Sequence, residues 1–175
     1  MSALTVAVIV TDGFSPFHFS VPCIIFGASM PEPELFRVEI CAREPGMVQS
    51  DIGLSINVEH GLERLDAADI IIVPYWHNPD EKPDQALLDK LISAWQRGAQ
   101  VVGLCLGTYV LAYTGLLDGH RAATHWEYGQ DFTARFPDVR KRLVRTVLIF
   151  TESSDQLSRA TDRVPGLPAS PGYVQ

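Results

Sequence analysis

Positive charge is in short supply. Fourteen Lys and Arg stand against 21 Asp and Glu, a formal charge of −7 over 175 residues. Such a chain repels phosphate backbones. Its nearest approach to a basic stripe is Arg140-Lys141-Arg142, a short run that reads as solvated surface. Direct nucleic-acid binding by this chain is not expected. Cysteine is scarcer still: Cys23, Cys41 and Cys105 are odd in number and far apart. That argues against a disulfide framework and fits a reducing cytoplasm. No apolar run approaches the ~18 residues of a membrane span, so no membrane partner is expected. Met1-Ser2-Ala3 lacks a basic segment, and the apolar stretch from Leu4 stops at the turn signal Asp12-Gly13. A first strand fits these residues better than a signal peptide.

What is present is the composition of one globular domain: 46% hydrophobic and 20% charged residues, with no length to spare for a second full domain. Leu4–Val10, Phe36–Ala42, Ala68–Pro74 and Gln100–Leu104 are nearly continuous apolar runs, the pattern of strands covered on both faces. Pro16 suits the first turn of a helix reaching Gly27, with Pro22 expected to kink or split it. Val48–Val58, interrupted by Gly53, predicts a hairpin. Asp84–Arg97 is an amphipathic helix with Leu87, Leu88, Leu91, Ile92 and Trp95 on one stripe, ended by Gly98. Alternating strands and helices predict an α/β fold with a mostly parallel sheet sandwiched by helices. From Thr151 the pattern fades. Pro165, Pro168 and Pro171 lie in a stretch without apolar periodicity, so residues 1–150 are expected to form the domain and 151–175 a disordered or truncated tail.

Chemistry concentrates around Cys105. In Gly103-Leu104-Cys105-Leu106-Gly107 a cysteine sits between a buried strand and a helix start, with a glycine two residues to either side. This spacing is that of a nucleophile elbow, where small residues permit a sharp turn and close backbone approach. Helix N–H groups there are expected to lower the thiol pKa and to hold an oxyanion. The other reading is a small buried hydrophobe, and the glycines alone do not decide between the two. His125, in Ala122-Ala123-Thr124-His125-Trp126, supplies the imidazole that covalent cysteine chemistry requires, on what reads as a short strand returning from the elbow helix. Trp76, His77 and Asp80 follow a strand end, where open α/β sheets tend to bind ligands. His18, His77 and Asp80 lack metal-ligand spacing, so neither a metal nor a cofactor is expected. Glu127 is a candidate to orient His125.

These blocks resemble one family. The Cys105 segment, Gly115-Leu116-Leu117-Asp118-Gly119-His120-Arg121-Ala122, Thr124-His125-Trp126 and Arg135-Phe136-Pro137-Asp138-Val139 are similar to the PfpI/ThiJ-like (class I glutamine amidotransferase-like) domain. That domain stands at the N-terminus of AraC-type transcription regulators. The resemblance spans roughly residues 4–150. It implies a flavodoxin-like three-layer sandwich and a homodimer, with Cys105 and His125 as the nucleophile-like pair, active or vestigial.

The resemblance also implies two departures. An acidic residue on the first helix of the enzyme relatives falls at His18, and an oxyanion-hole glycine falls at Tyr75. An imidazole cannot supply a carboxylate's negative charge beside the thiol, although it could pair with a thiolate. Ligand contacts are therefore expected from His18, Tyr75, Trp76, Leu106 and Trp126, the last as a pocket wall. The reading is a small-molecule-sensing domain of an AraC-type regulator. It is expected to end before the helix-turn-helix pair that would read DNA, through either a frameshift near residues 140–157 or a divergent natural tail. The alternative is a stand-alone cysteine-dependent hydrolase or hydratase, isonitrile hydratase-like, acting on a small electrophile.

Overall fold

The apolar runs pair side by side. The computed structural model describes residues 3–27, 35–141 and 149–150. Its main sheet comprises β1 (Leu4–Ile9), β2 (Phe36–Cys41), β5 (Ile70–Val73), β6 (Gln100–Gly103) and β9 (Ile149–Phe150), in the order β2-β1-β5-β6-β9. The first four are parallel, with Val6 opposite both Val38 and Ile70, and β9 runs antiparallel at the edge. Counting only these strands along the chain, the order is 2-1-3-4-5, the flavodoxin-like arrangement.

Alternation along each strand builds the layers. Val6, Val8, Ile72 and Val102 face α1 (Pro16–Phe26), packing with its Phe19, Cys23 and Phe26. Ala7, Ile9, Ile71, Val73 and Val101 face the other way, against Leu87, Leu88 and Leu91 of α2 (Gln85–Arg97) and Tyr109 and Val110 of α3 (Gly107–Tyr113). The result is the expected flavodoxin-like sandwich. Asp84 is the cap of α2 rather than its first turn. Its carboxylate accepts from the Ala86 N–H at 2.7 Å, and Gly98 closes the helix at φ +104°.

Three local expectations change. Pro22 does not split α1, which is one uninterrupted helix; its ring is buried, and packing outweighs the one backbone hydrogen bond that proline cannot make. Gly27 ends that helix in an extended conformation instead of a left-handed one. The predicted strand through residue 126 is only β7 (Arg121–Ala122), which pairs with β8 (Arg140–Lys141). A 3₁₀ turn, Trp126–Tyr128, and α4 (Gly129–Arg135) follow. The expected tail, 151–175, lies outside the described residues.

The hairpin of β3 (Gly46–Gln49) and β4 (Ser55–Val58) turns at Gly53, φ +85°. It docks on the entrance to α1, where the Gly13 N–H donates to Gln49 O at 2.8 Å and the Asp51 N–H to Phe14 O at 3.0 Å. The loops after β1, β5 and β6 leave the sheet at its carboxyl end, beside the point where strand order reverses. Open sheets form their ligand crevices there.

Candidate functional site

Cys105 occupies a strained turn directly after β6. Its φ of +51° makes it the one non-glycine residue with positive φ among the described residues. Both flanking glycines are required by space. A Cβ on Gly107 would lie 2.0 Å from Val73 O, and one on Gly103 would lie 3.0 Å from Gly107 O and from the Thr108 Cα. Hydrogen bonds from the Leu104 N–H to Val73 O (2.9 Å) and from the Gly107 N–H to Leu104 O (2.7 Å) tighten the bend. The geometry is that of an elbow.

The electrostatics differ from the expectation. Burial pushes the Cys105 thiol above its ordinary range, and the Leu106 N–H opposes that shift without reversing it. The helix that was to depress the pKa spans only Gly107–Tyr113, and desolvation of the thiolate is the largest influence on it. Leu106 contributes its backbone; its side chain is packed in the core. Cys41 is buried and pushed up to about 12 by burial, then by Glu39 and Glu63. Burial also raises Cys23.

The segment carrying His125 is bound to the elbow through its neighbours. The Thr124 hydroxyl donates to Cys105 O at 3.1 Å, and the fully buried Thr108 hydroxyl donates to Ala123 O at 3.0 Å. His125 precedes the 3₁₀ turn instead of riding a strand, and the Tyr128 N–H returns to His125 O at 3.0 Å. Its Nδ1 is buried without a hydrogen-bond partner among the described residues. The Glu127 carboxylate lies 3.9 Å away, beyond hydrogen-bond reach, and is an exposed surface group, the commoner reading of such a carboxylate.

His18 and Tyr75 stack on each other, ring centroids 5.1 Å apart. The His18 pKa is lowered by burial first and by His125 second, while Asp51 pulls the other way. The Tyr75 phenol is raised by burial, then by Asp51, Cys105 and Tyr128. These mutual influences place Cys105, His18, Tyr75 and His125 in one locality, together with Asp51 and Tyr128, which the sequence reading missed. Asp51 sits in a hairpin tip and Tyr128 in a short turn; nothing in either segment signals the crevice.

Trp76 is buried in the core, its Nε1 donating to Glu81 O at 2.9 Å, whereas Trp126 is 76% exposed with its ring 5.7 Å from that of His125. His77 pairs with Glu81 and Asp80 with Arg135. Among the described residues no three metal-ligating side chains cluster.

A strained cysteine after the fourth main-sheet strand, with a histidine segment tied to its backbone, is the arrangement to compare with known proteins. The DJ-1/PfpI family model matches residues 4–151. The chain belongs to the DJ-1/PfpI family. It is 32% identical over 106 residues to the HTH-type transcriptional regulator CdhR of Pseudomonas aeruginosa, covering 61% of this chain and 32% of that protein. It is 31% identical over 126 residues to the isonitrile hydratase of Pseudomonas putida, covering 71% of this chain and 54% of that one. The chain thus spans about a third to a half of these relatives' length. An AraC family transcriptional regulator from Pseudomonas putida shares its fold with TM-score 0.63 and 22% identity, over 83% of this chain and 80% of that one.

Within this DJ-1/PfpI domain, burial and the Leu106 N–H are what set the Cys105 thiol's pKa.

Proposed function

We propose that residues 1–150 form the small-molecule-sensing domain of an AraC-type transcriptional regulator, acting in the cytoplasm as a homodimer. The carrying observation is the Cys105 thiol: a strained elbow holds it in place, yet burial raises its pKa instead of lowering it. A protonated thiol without a carboxylate to take its proton suits binding better than turnover. The regulator relative CdhR, matched over a third of its length, supports the same reading. Exposed apolar side chains on α1 (Phe17, Ile24, Ile25) and on the hairpin (Met47, Ile52, Leu54) offer a surface for a second copy.

The test is calorimetry and product analysis on the purified chain with a panel of small carbonyl compounds, amides and isonitriles. Saturable binding without product is the expected result, and rapid multiple turnover would overturn it. The second reading, an isonitrile hydratase-like enzyme, is favoured by the retained Cys105 and His125 and by the 31% identical hydratase. Turnover lost in Cys105→Ser would establish it.

A further inference from the structure

Asp80 attracts attention in the sequence as a candidate crevice residue; in the structure it is one end of a relay. Arg135, near the end of α4, uses all three guanidinium nitrogens. Nε donates to Asp131 at 2.9 Å, Nη1 donates to the carbonyl of Pro79 at 2.9 Å, and Nη2 pairs with the Asp80 carboxylate. Asp131 in turn accepts from the Tyr109 hydroxyl at 2.7 Å, and the same hydroxyl reaches Tyr128 O at 3.3 Å. Tyr109 is fully buried on the elbow helix. The relay therefore joins three segments distant in sequence: the loop after β5 that carries Tyr75, the turn that follows His125, and the helix that starts beside Cys105.

The strengths of the arms differ. Asp80 is well exposed, so its ion pair is screened and contributes little by itself. Pro79 is buried, and its carbonyl needs the Arg135 donor. Asp131 is held from two sides, by a phenol and by a guanidinium. A planar fork can serve Pro79 and Asp131 together; a single ammonium cannot.

We propose that Arg135 is a positioning residue that locks the two walls of the Cys105 crevice to each other. The proposal rests on the reading of Cys105 and its neighbours as the ligand site. The Trp76–Glu81 hydrogen bond closes the same loop on itself around the buried Trp76 ring, and Arg135 supplies its tie to α4.

Amide hydrogen exchange on the full chain tests it, with iodoacetamide labelling of Cys105 alongside. In Arg135→Ala, residues 75–84 and 123–131 should both exchange about tenfold faster, with Cys105 labelled several-fold faster and Cys41 unchanged. In Tyr109→Phe only 123–131 should loosen. Arg140→Ala, which removes an exposed arginine outside the relay, should match wild type. Where Arg135→Ala does not fold, Arg135→Lys serves: it should release 75–84 and keep 123–131 protected through Asp131. Uniform loosening of the whole chain, or loosening confined to α4, would overturn the proposal, as would unchanged Cys105 labelling in a variant with both walls loosened. If wild-type Cys105 labels no faster than Cys41, the reading of the ligand site fails instead, and the exchange pattern still judges the lock.

Discussion

The His18 imidazole stacks on the Tyr75 ring, centroids 5.1 Å apart and planes 22° from parallel. One residue lies in the first turn of α1 and the other in the loop after β5. The two form one structural unit. They give the crevice an aromatic wall of low charge, because burial and His125 both hold His18 toward its neutral form.

That neutral form has a pH signature. The folded His18 pKa is below its unfolded value of 6.5. As pH falls through 6.5 the unfolded chain takes up a proton that the folded chain does not, so stability is lost on the acid side. His18→Gln should flatten that part of the profile, measured as thermal midpoint from pH 7.5 down to pH 5. An unchanged slope would remove His18 as its source.

Placing a carboxylate at the same position addresses the chemistry. His18→Glu should raise turnover of a carbonyl or isonitrile substrate above the wild-type level, about tenfold or more if the new group assists proton transfer. Rates that stay at background, with the variant folded, would show that the missing carboxylate is not what limits the thiol.

Space at the elbow predicts a large stability loss. Gly107→Ala would set a Cβ 2.0 Å from Val73 O, a backbone atom in a central strand that cannot move aside cheaply. A cost of about 3 kcal/mol or more is expected, enough to unfold a marginal domain. Chemical denaturation reads it directly. A near-native midpoint would mean that β5 can shift.

Strain at Cys105 itself can be measured by a pair of variants. Both Cys105→Ala and Cys105→Gly delete the thiol, but only glycine adopts φ +51° without steric cost. Cys105→Gly should be the more stable of the two by about 1 kcal/mol, the strain relieved less the added chain entropy. Alanine equal to or better than glycine would show the turn to be relaxed.

The thiols should report burial as a function of pH. With the Cys105 pKa raised from 9.0, its labelling by iodoacetamide should still be climbing above pH 9, where an ordinary thiol has begun to level off. Cys41, near 12, should stay unlabelled in the folded chain. A plateau for Cys105 below pH 8 would mean that the N–H groups of the elbow overcome desolvation after all.

Much of the fold was legible from local pattern. Continuous apolar runs located β1, β2, β5 and β6 because strands covered on both faces have no solvent side to mark with polar residues. The limits of α2 followed from Asp84 and Gly98, since capping is chemistry between near neighbours in the chain. The elbow was legible for the same reason: Gly103 and Gly107 are glycines because backbone atoms stand where a Cβ would be.

The amino-acid sequence by itself thus determined the layers, the sheet-ending turns and the identity of the residue at the strained one. The tertiary structure alone decided the charge on that residue, since desolvation depends on what packs around a thiol and not on what flanks it in the chain. It also decided the membership of the crevice. Asp51 reaches it because a hairpin docks on α1, Trp126 is left in solvent because its strand stops at Ala122, and Arg135 joins Pro79 because two segments far apart in sequence fold onto α3. Such groupings arise from three-dimensional proximity, which no spacing along the chain encodes.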